Sequence, residues 1–284
     1  MISRLLSFLV LTSLLAACQH APDPRQHQVV LQQAVAQGYV VRLADGARLS
    51  PDALLSELAA AQVLIVGEDH DNLRHHQIEE WLVRTLPEQR PAGSYVLEMA
   101  RPSQQSALNE LQHELQTQPV SAAGTLRRRL DWQDGWPWPL YGNLVIALLS
   151  QPQPVLAGNF DTDEMRQIMA RQTRPQGALS ERPAVADTLA GYIGGSHAGI
   201  EKQMPGMIAV QMWRDRRMAD TLIAAPKPSV LFAGNIHALK DVGVAMHLRD
   251  QWPDQPESAV RVLLLLTQES DADTSHADYL WITG

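Results

Sequence analysis

Val63-Leu-Ile-Val-Gly-Glu-Asp-His-Asp-Asn-Leu-Arg-His-His76 is the stretch from which the fold can be read. Residues 63–66 are wholly apolar and turn chemistry follows them, the pattern of a short strand buried in a parallel sheet. Gly67 is expected to end the strand. The polar residues after it are rich in acids and histidines, and Ile78, Trp81, Leu82 and Leu86 then recur at helical spacings. Open α/β sheets bind ligands outside the carboxyl ends of their strands, which is where this stretch places its acids and imidazoles.

The phrase occurs twice. Val230-Leu-Phe-Ala-Gly-Asn-Ile-His237 repeats the layout of four apolar residues followed by Gly-x-x-His. One Gly-x-x-His arises by chance in many chains; two, each straight after an apolar run, point to a shared role at the rim of a sheet. The plainer alternative is that each glycine serves a tight strand exit and each histidine is incidental.

Outward from these motifs, Asp45-Gly46 between apolar runs predicts a hairpin. Ser50-Pro51 predicts a helix over 51–60, with serine as its cap and proline at its first position. Residues 95–98, 155–159 and 260–266 read as further core strands, and 279–283 as an edge strand. Trp132, Trp136, Trp138 and Tyr141 read as a packed corner in preference to a pocket for a flat ligand. Residues 173–225 show no core strand; a glycine-rich loop at 191–199 precedes a long helical pattern. Strands alternating with helices argue for an α/β fold, a mostly parallel sheet flanked by helices, with a small helical lid subdomain. The expected divisions are a signal peptide at 1–17, a polar tether at 18–36, a core at 37–172 and 226–284, and the lid at 173–225.

At 284 residues the chain can hold one large domain, and a formal charge of −8 argues against nucleic acid as a partner. Arg4, an apolar run to Leu15 and Leu15-Ala-Ala-Cys18 resemble a bacterial lipobox. Cys18 is the only cysteine, so no internal disulfide forms and lipidation (palmitate and its relatives) is its expected role. Gln19 after it suggests the outer membrane over the inner. The expected location is the bacterial cell envelope.

Four strand exits carry His70, Glu98, Asn159 and His237. Two histidines and a glutamate meeting there would suit a divalent metal such as zinc. The same trio could instead act without metal, one histidine as general base and Glu98 orienting it, with Glu68 as a further candidate acid. His75 and His76 open the next helix near the same rim, either as part of an anion site or as a solvated helix start. There is no His-Glu-x-x-His, no Walker A loop and no Gly-x-Gly-x-x-Gly, and Gly194-Gly-Ser-His-Ala misses the nucleophile-elbow pattern at Ala198.

Gly67-Glu-Asp-His-Asp-Asn-x-x-His-His, the strand ending Leu97-Glu98, Gln211-x-x-Arg-Asp-x-x-Met-Ala and Gly234-Asn-Ile-His-Ala together resemble the ChaN-like haem-binding lipoproteins, over roughly residues 50–266. The resemblance implies a lipid-anchored protein of haem uptake and iron acquisition, able to pair two subunits around haem and to meet an outer-membrane haem receptor. The wider superfamily, similar to Tiki, TraB and erythromycin esterases, implies instead a metal-dependent hydrolase, esterase or peptidase, at His70, Glu98 and His237. Haem needs an apolar slot and an axial ligand. No motif fixes that ligand here; Tyr192, His197 and Met204 in the lid are the candidates, with Lys202 or Arg214 for the propionates. A haem-binding protein is the first reading and the hydrolase the second.

Overall fold

The computed structural model describes residues 24–117, 123–196, 199 and 201–284. The expected signal peptide, Cys18 and His197 lie outside them. In chain order, α1 (Pro24–Ala36) leads to the hairpin β1 (Tyr39–Arg42) and β2 (Ala47–Leu49), then α2 (Pro51–Leu58) and β3 (Val63–Glu68). There follow α3 (Leu73–Gln89), β4 (Ser94–Leu97), α4 (Gln105–Thr117), α5 (Ala123–Arg129), α6 (Trp138–Leu149) and β5 (Val155–Ala157). The second half holds α7 (Thr162–Arg171), α8 (Pro183–Ser196), α9 (Met204–Ala224), β6 (Ser229–Gly234), α10 (Asn235–Ala238), α11 (Val244–Gln251), β7 (Val260–Leu266) and β8 (Tyr279–Ile282).

The strands form one sheet in the order β2-β1-β8-β7-β3-β6-β4-β5. From β8 to β5 every pairing is parallel, and only β1, against β8 and β2, is antiparallel. The apolar run of β3 is explained by its central place. Leu64 and Val66 pack on one side with Ile78 and Leu82 of α3 and Leu144 of α6. Val63 and Ile65 pack on the other with Met218 and Leu222 of α9 and Leu248 of α11. With both faces buried, no alternation with polar residues is possible. The Ser50 cap forms as expected, its hydroxyl accepting from Ala53 N–H at 3.2 Å.

Four expectations are corrected. Residues 24–36 are not an open tether: Leu31, Ala34 and Val35, one face at helical spacing, are buried, α1 packs on α3, and His27 Nε2 lies 2.8 Å from Glu80 Oε1. Strand β8 is not an edge strand, because β1 covers its outer side. The glycine-rich segment is helical through Ser196. The expected lid divides, for α9 buries Asp215, Met218, Ala219 and Leu222 against the sheet and so belongs to the core layer. No helix of the described residues is long and apolar enough to cross a membrane.

Candidate functional site

The strands leading to His70, His237, Glu98 and Asn159 are consecutive in the sheet, β3-β6-β4-β5, so their carboxyl ends form one rim. Strand β3 does not stop at Gly67; it runs on through Glu68, opposite Gly234 of β6. The glycines serve close approach, not strand exit. A Cβ on Gly67 would lie 2.7 Å from both Ala238 Cβ and Asn235 Oδ1, and one on Gly234 would lie 2.7 Å from His70 Cε1 and Nε2. Each motif's glycine therefore makes room for the far half of the other motif.

The inner half of the rim is a buried charge cluster. His237 Nδ1 donates to Asp215 Oδ1 at 2.5 Å, and its Nε2 lies 3.2 Å from Glu98 Oε1. The Gln211 amide also lies 2.9 Å from Nδ1. Glu98 Oε2 accepts from Gly234 N–H at 2.9 Å, while Arg214 NH1 stands 3.8 Å from Oε1. Arg214 Nε donates to Asn159 Oδ1, whose amide donates to the Glu98 carbonyl. Burial alone would depress the basicity of His237, but the charges of Glu98 and then Asp215 override it and raise its pKa to about 9. Burial pushes Asp215 up to about 6 against the pull of His237. Glu98 resists the same burial and is held low by His237, Arg214 and His70. The hub is an imidazolium clasped between two carboxylates, within reach of one guanidinium.

The outer half is different. His70 Nδ1 lies 2.6 Å from Glu68 Oε1, which also accepts from Tyr141 OH at 2.9 Å. The His70 ring meets Trp136 edge-on at 4.7 Å between centroids. Burial would lower the basicity of His70, yet the Glu68 hydrogen bond and the Glu98 charge raise it. With Nδ1–H turned to Glu68, the Cε1–Nε2 edge of the ring lies over Gly234. Behind it, neither His75 nor His76 is a solvated helix start. His75 Nδ1 accepts from Asp69 N–H, and burial lowers its pKa to about 4. His76 joins Glu79 at 3.0 Å and the His70 carbonyl at 3.2 Å. Both are buried in packing roles, with neither facing an anion site.

The expected metal set does not assemble. Among the described residues no group of three or more His, Cys, Asp or Glu side chains could hold a metal ion. The physical reason is that both nitrogens of His237 already face carboxylates, and His70 turns its Nδ1 to Glu68 instead of joining them. Zinc at His70, Glu98 and His237 is not supported by the described residues, and the metal-dependent hydrolase built on it is not favoured. Glu68, the candidate base, is buried beneath Tyr141 and His70.

Of the haem candidates, Arg214 joins the rim cluster. Tyr192 is exposed near the end of α8 and feels the charge of Asp241, in the loop after α10. Met204 opens α9 and packs toward Gly194 of α8. Arg214 turns inward to Asn159 and Glu98. Sequence reasoning did not single out Asp215 as part of the rim. The signal was present, since Gln211, Asp215, Met218 and Leu222 share one helical face. It also placed Tyr141 in a packed corner, which is correct (Trp132 Nε1 donates to the Trp136 carbonyl), without seeing that its hydroxyl reaches Glu68.

Residues 54–248 match the family described as haem-binding uptake, Tiki superfamily, ChaN. The chain belongs to that family. ChaN of Campylobacter jejuni, described as binding haem cofacially, is 25% identical; the match covers 87% of this chain and 97% of that one, with a TM-score of 0.77. The type III effector HopBA1 is 14% identical over 82% of this chain and 92% of its own, with a TM-score of 0.47. An erythromycin esterase, EreC, is 14% identical over 81% and 78%, with a TM-score of 0.45. No curated protein matches the chain.

Proposed function

We propose that this chain is a lipid-anchored haem-binding protein that receives or stores haem for iron acquisition at the bacterial envelope, anchored through Cys18 to the outer membrane. The observation that carries the reading is membership of a haem-binding uptake family across residues 54–248, which span α2 to α11. The Campylobacter relative, described as binding haem cofacially, supports a partnership of two subunits around haem.

The residues present fit the group. Tyr192 is an exposed phenol, and a Cβ on Gly191 beside it would meet nothing within 4 Å. Phenolate is one of the axial ligands proteins offer haem iron, and the bound haem supplies redox-active iron chemistry. Burial, and then Asp241, raise the pKa of Tyr192, so the phenol is neutral at pH 7 and loses its proton on ligating iron. Haemin affinity should therefore rise with pH below the Tyr192 pKa.

The test is a haemin titration of the form starting at Gln19, followed by visible absorbance, with sedimentation before and after loading. The expected result is a saturable Soret shift at one haem per chain and pairing of two chains on loading. A linear, unsaturable shift with an unchanged sedimentation coefficient would contradict the reading.

A further inference from the structure

At the end of the sheet opposite the rim lies a small cavity that the haem reading does not use. It sits under the last turn of α3 and the amino ends of β4 and β6. Leu82, Leu86, Val230 and Phe232 give it apolar walls, and its volume is about 10 Å³, room for about one water-sized particle. Two polar side chains share this apolar lining, Arg90 and Tyr95. Arg90 is 7% exposed and Tyr95 2%. Neither the phenol oxygen nor any of the three guanidinium nitrogens has a hydrogen-bond partner among the described residues.

Such an arrangement is electrostatically incomplete. A guanidinium does not give up its proton in proteins, so its charge persists in the buried site. Among the described residues the titratable group whose charge bears on Arg90 is Tyr95, and burial pushes that phenol up to about 12. Tyr95 is therefore a neutral donor at pH 7. The cavity thus presents N–H and O–H donors, a net positive charge and no carboxylate. A buried charge of this kind is tolerated when paired. We propose that the Arg90–Tyr95 cavity binds a single small halide ion, chloride in most solutions. A space of about one water-sized particle suits a monatomic anion better than a carboxylate, sulfate or phosphate. The dry walls favour an ion that sheds its water more readily than fluoride does.

The experiment uses the full folded chain. Its unfolding temperature is followed as sodium acetate is exchanged for sodium chloride or bromide at constant ionic strength, and bromide-soaked crystals are measured for anomalous scattering. The expected result is a saturable rise in unfolding temperature with chloride and bromide, together with a bromide peak within hydrogen-bond distance of Arg90 and Tyr95. Tyr95→Phe should weaken halide affinity by about tenfold, the effect of one hydrogen bond to a charged group. Arg90→Met, which replaces the charge with apolar volume, should abolish the halide dependence; should that variant fail to fold, Tyr95→Phe alone carries the test. Arg171→Met, an exposed arginine away from the cavity, should leave it unchanged. Equal unfolding temperatures in acetate and chloride, or no bromide peak, would overturn the proposal.

Discussion

His70 and His237 hold the same place in two copies of one phrase, yet the His70 side chain is 43% exposed and that of His237 is 6% exposed. The difference comes from what covers each. Helix α9 brings Asp215 down to His237 and Arg214 to Glu98, whereas the His70 ring of the β3 motif meets Trp136 and is partly exposed. The local phrase sets a strand, a close-packed glycine and an imidazole at the rim. The helix laid over that rim decides whether the imidazole becomes a buried cation or an accessible base.

Removing the buried partner should have the largest effect. His237→Ala leaves Asp215 without its imidazolium and Glu98 with Arg214 alone at 3.8 Å, both carboxylates fully buried, and should destabilise the fold by about 3–5 kcal/mol in denaturant unfolding. A loss near zero would mean that water reaches the cluster. The same imidazole should make stability pH-dependent. Its folded pKa, about 9, lies above the unfolded value of 6.5. Its contribution is therefore fully present below pH 6.5 and lost as pH rises through about 9. The stability difference between the protein and His237→Gln should shrink over that window; a difference that grows with pH would reverse the assignment.

The glycines sharpen the contrast at a smaller scale. Gly67→Ala drives a methyl against Ala238, which is fixed to its backbone, and should cost about 1–3 kcal/mol. Gly234→Ala meets the His70 ring, which can swing into solvent, and should cost less while displacing that imidazole. Equal costs would show that the His70 ring is as firmly held as Ala238. Smallest of all, His70→Ala should change stability by less than about 1 kcal/mol, because Tyr141 still hydrogen-bonds Glu68.

Much of this was legible in the sequence where one local rule acts alone. Apolar runs gave β3, β6 and β7, Asp45-Gly46 gave the hairpin, and Ser50-Pro51 gave the start of α2. The rim itself was legible, because parallel strands bring their ends together. What stayed hidden depends on long-range packing. Asp215 drew no role from the sequence, because only the packing of α9 turns it under His237. Helix α1 looked like a tether because its glutamines and histidine mask a narrow apolar stripe. The metal set failed because histidine, glutamate and aspartate satisfied one another first, a matter of side-chain direction that spacing along the chain cannot express.

The most direct measurement of the central claim is a haemin titration by visible absorbance of the protein beside Tyr192→Phe, His70→Ala and His237→Gln. The account predicts that Tyr192→Phe shifts the Soret band and weakens binding by at least about tenfold, while His70→Ala and any folded His237→Gln keep near-normal affinity. Retention of haem by Tyr192→Phe with its loss in His70→Ala would contradict it and move the haem to the outer half of the rim.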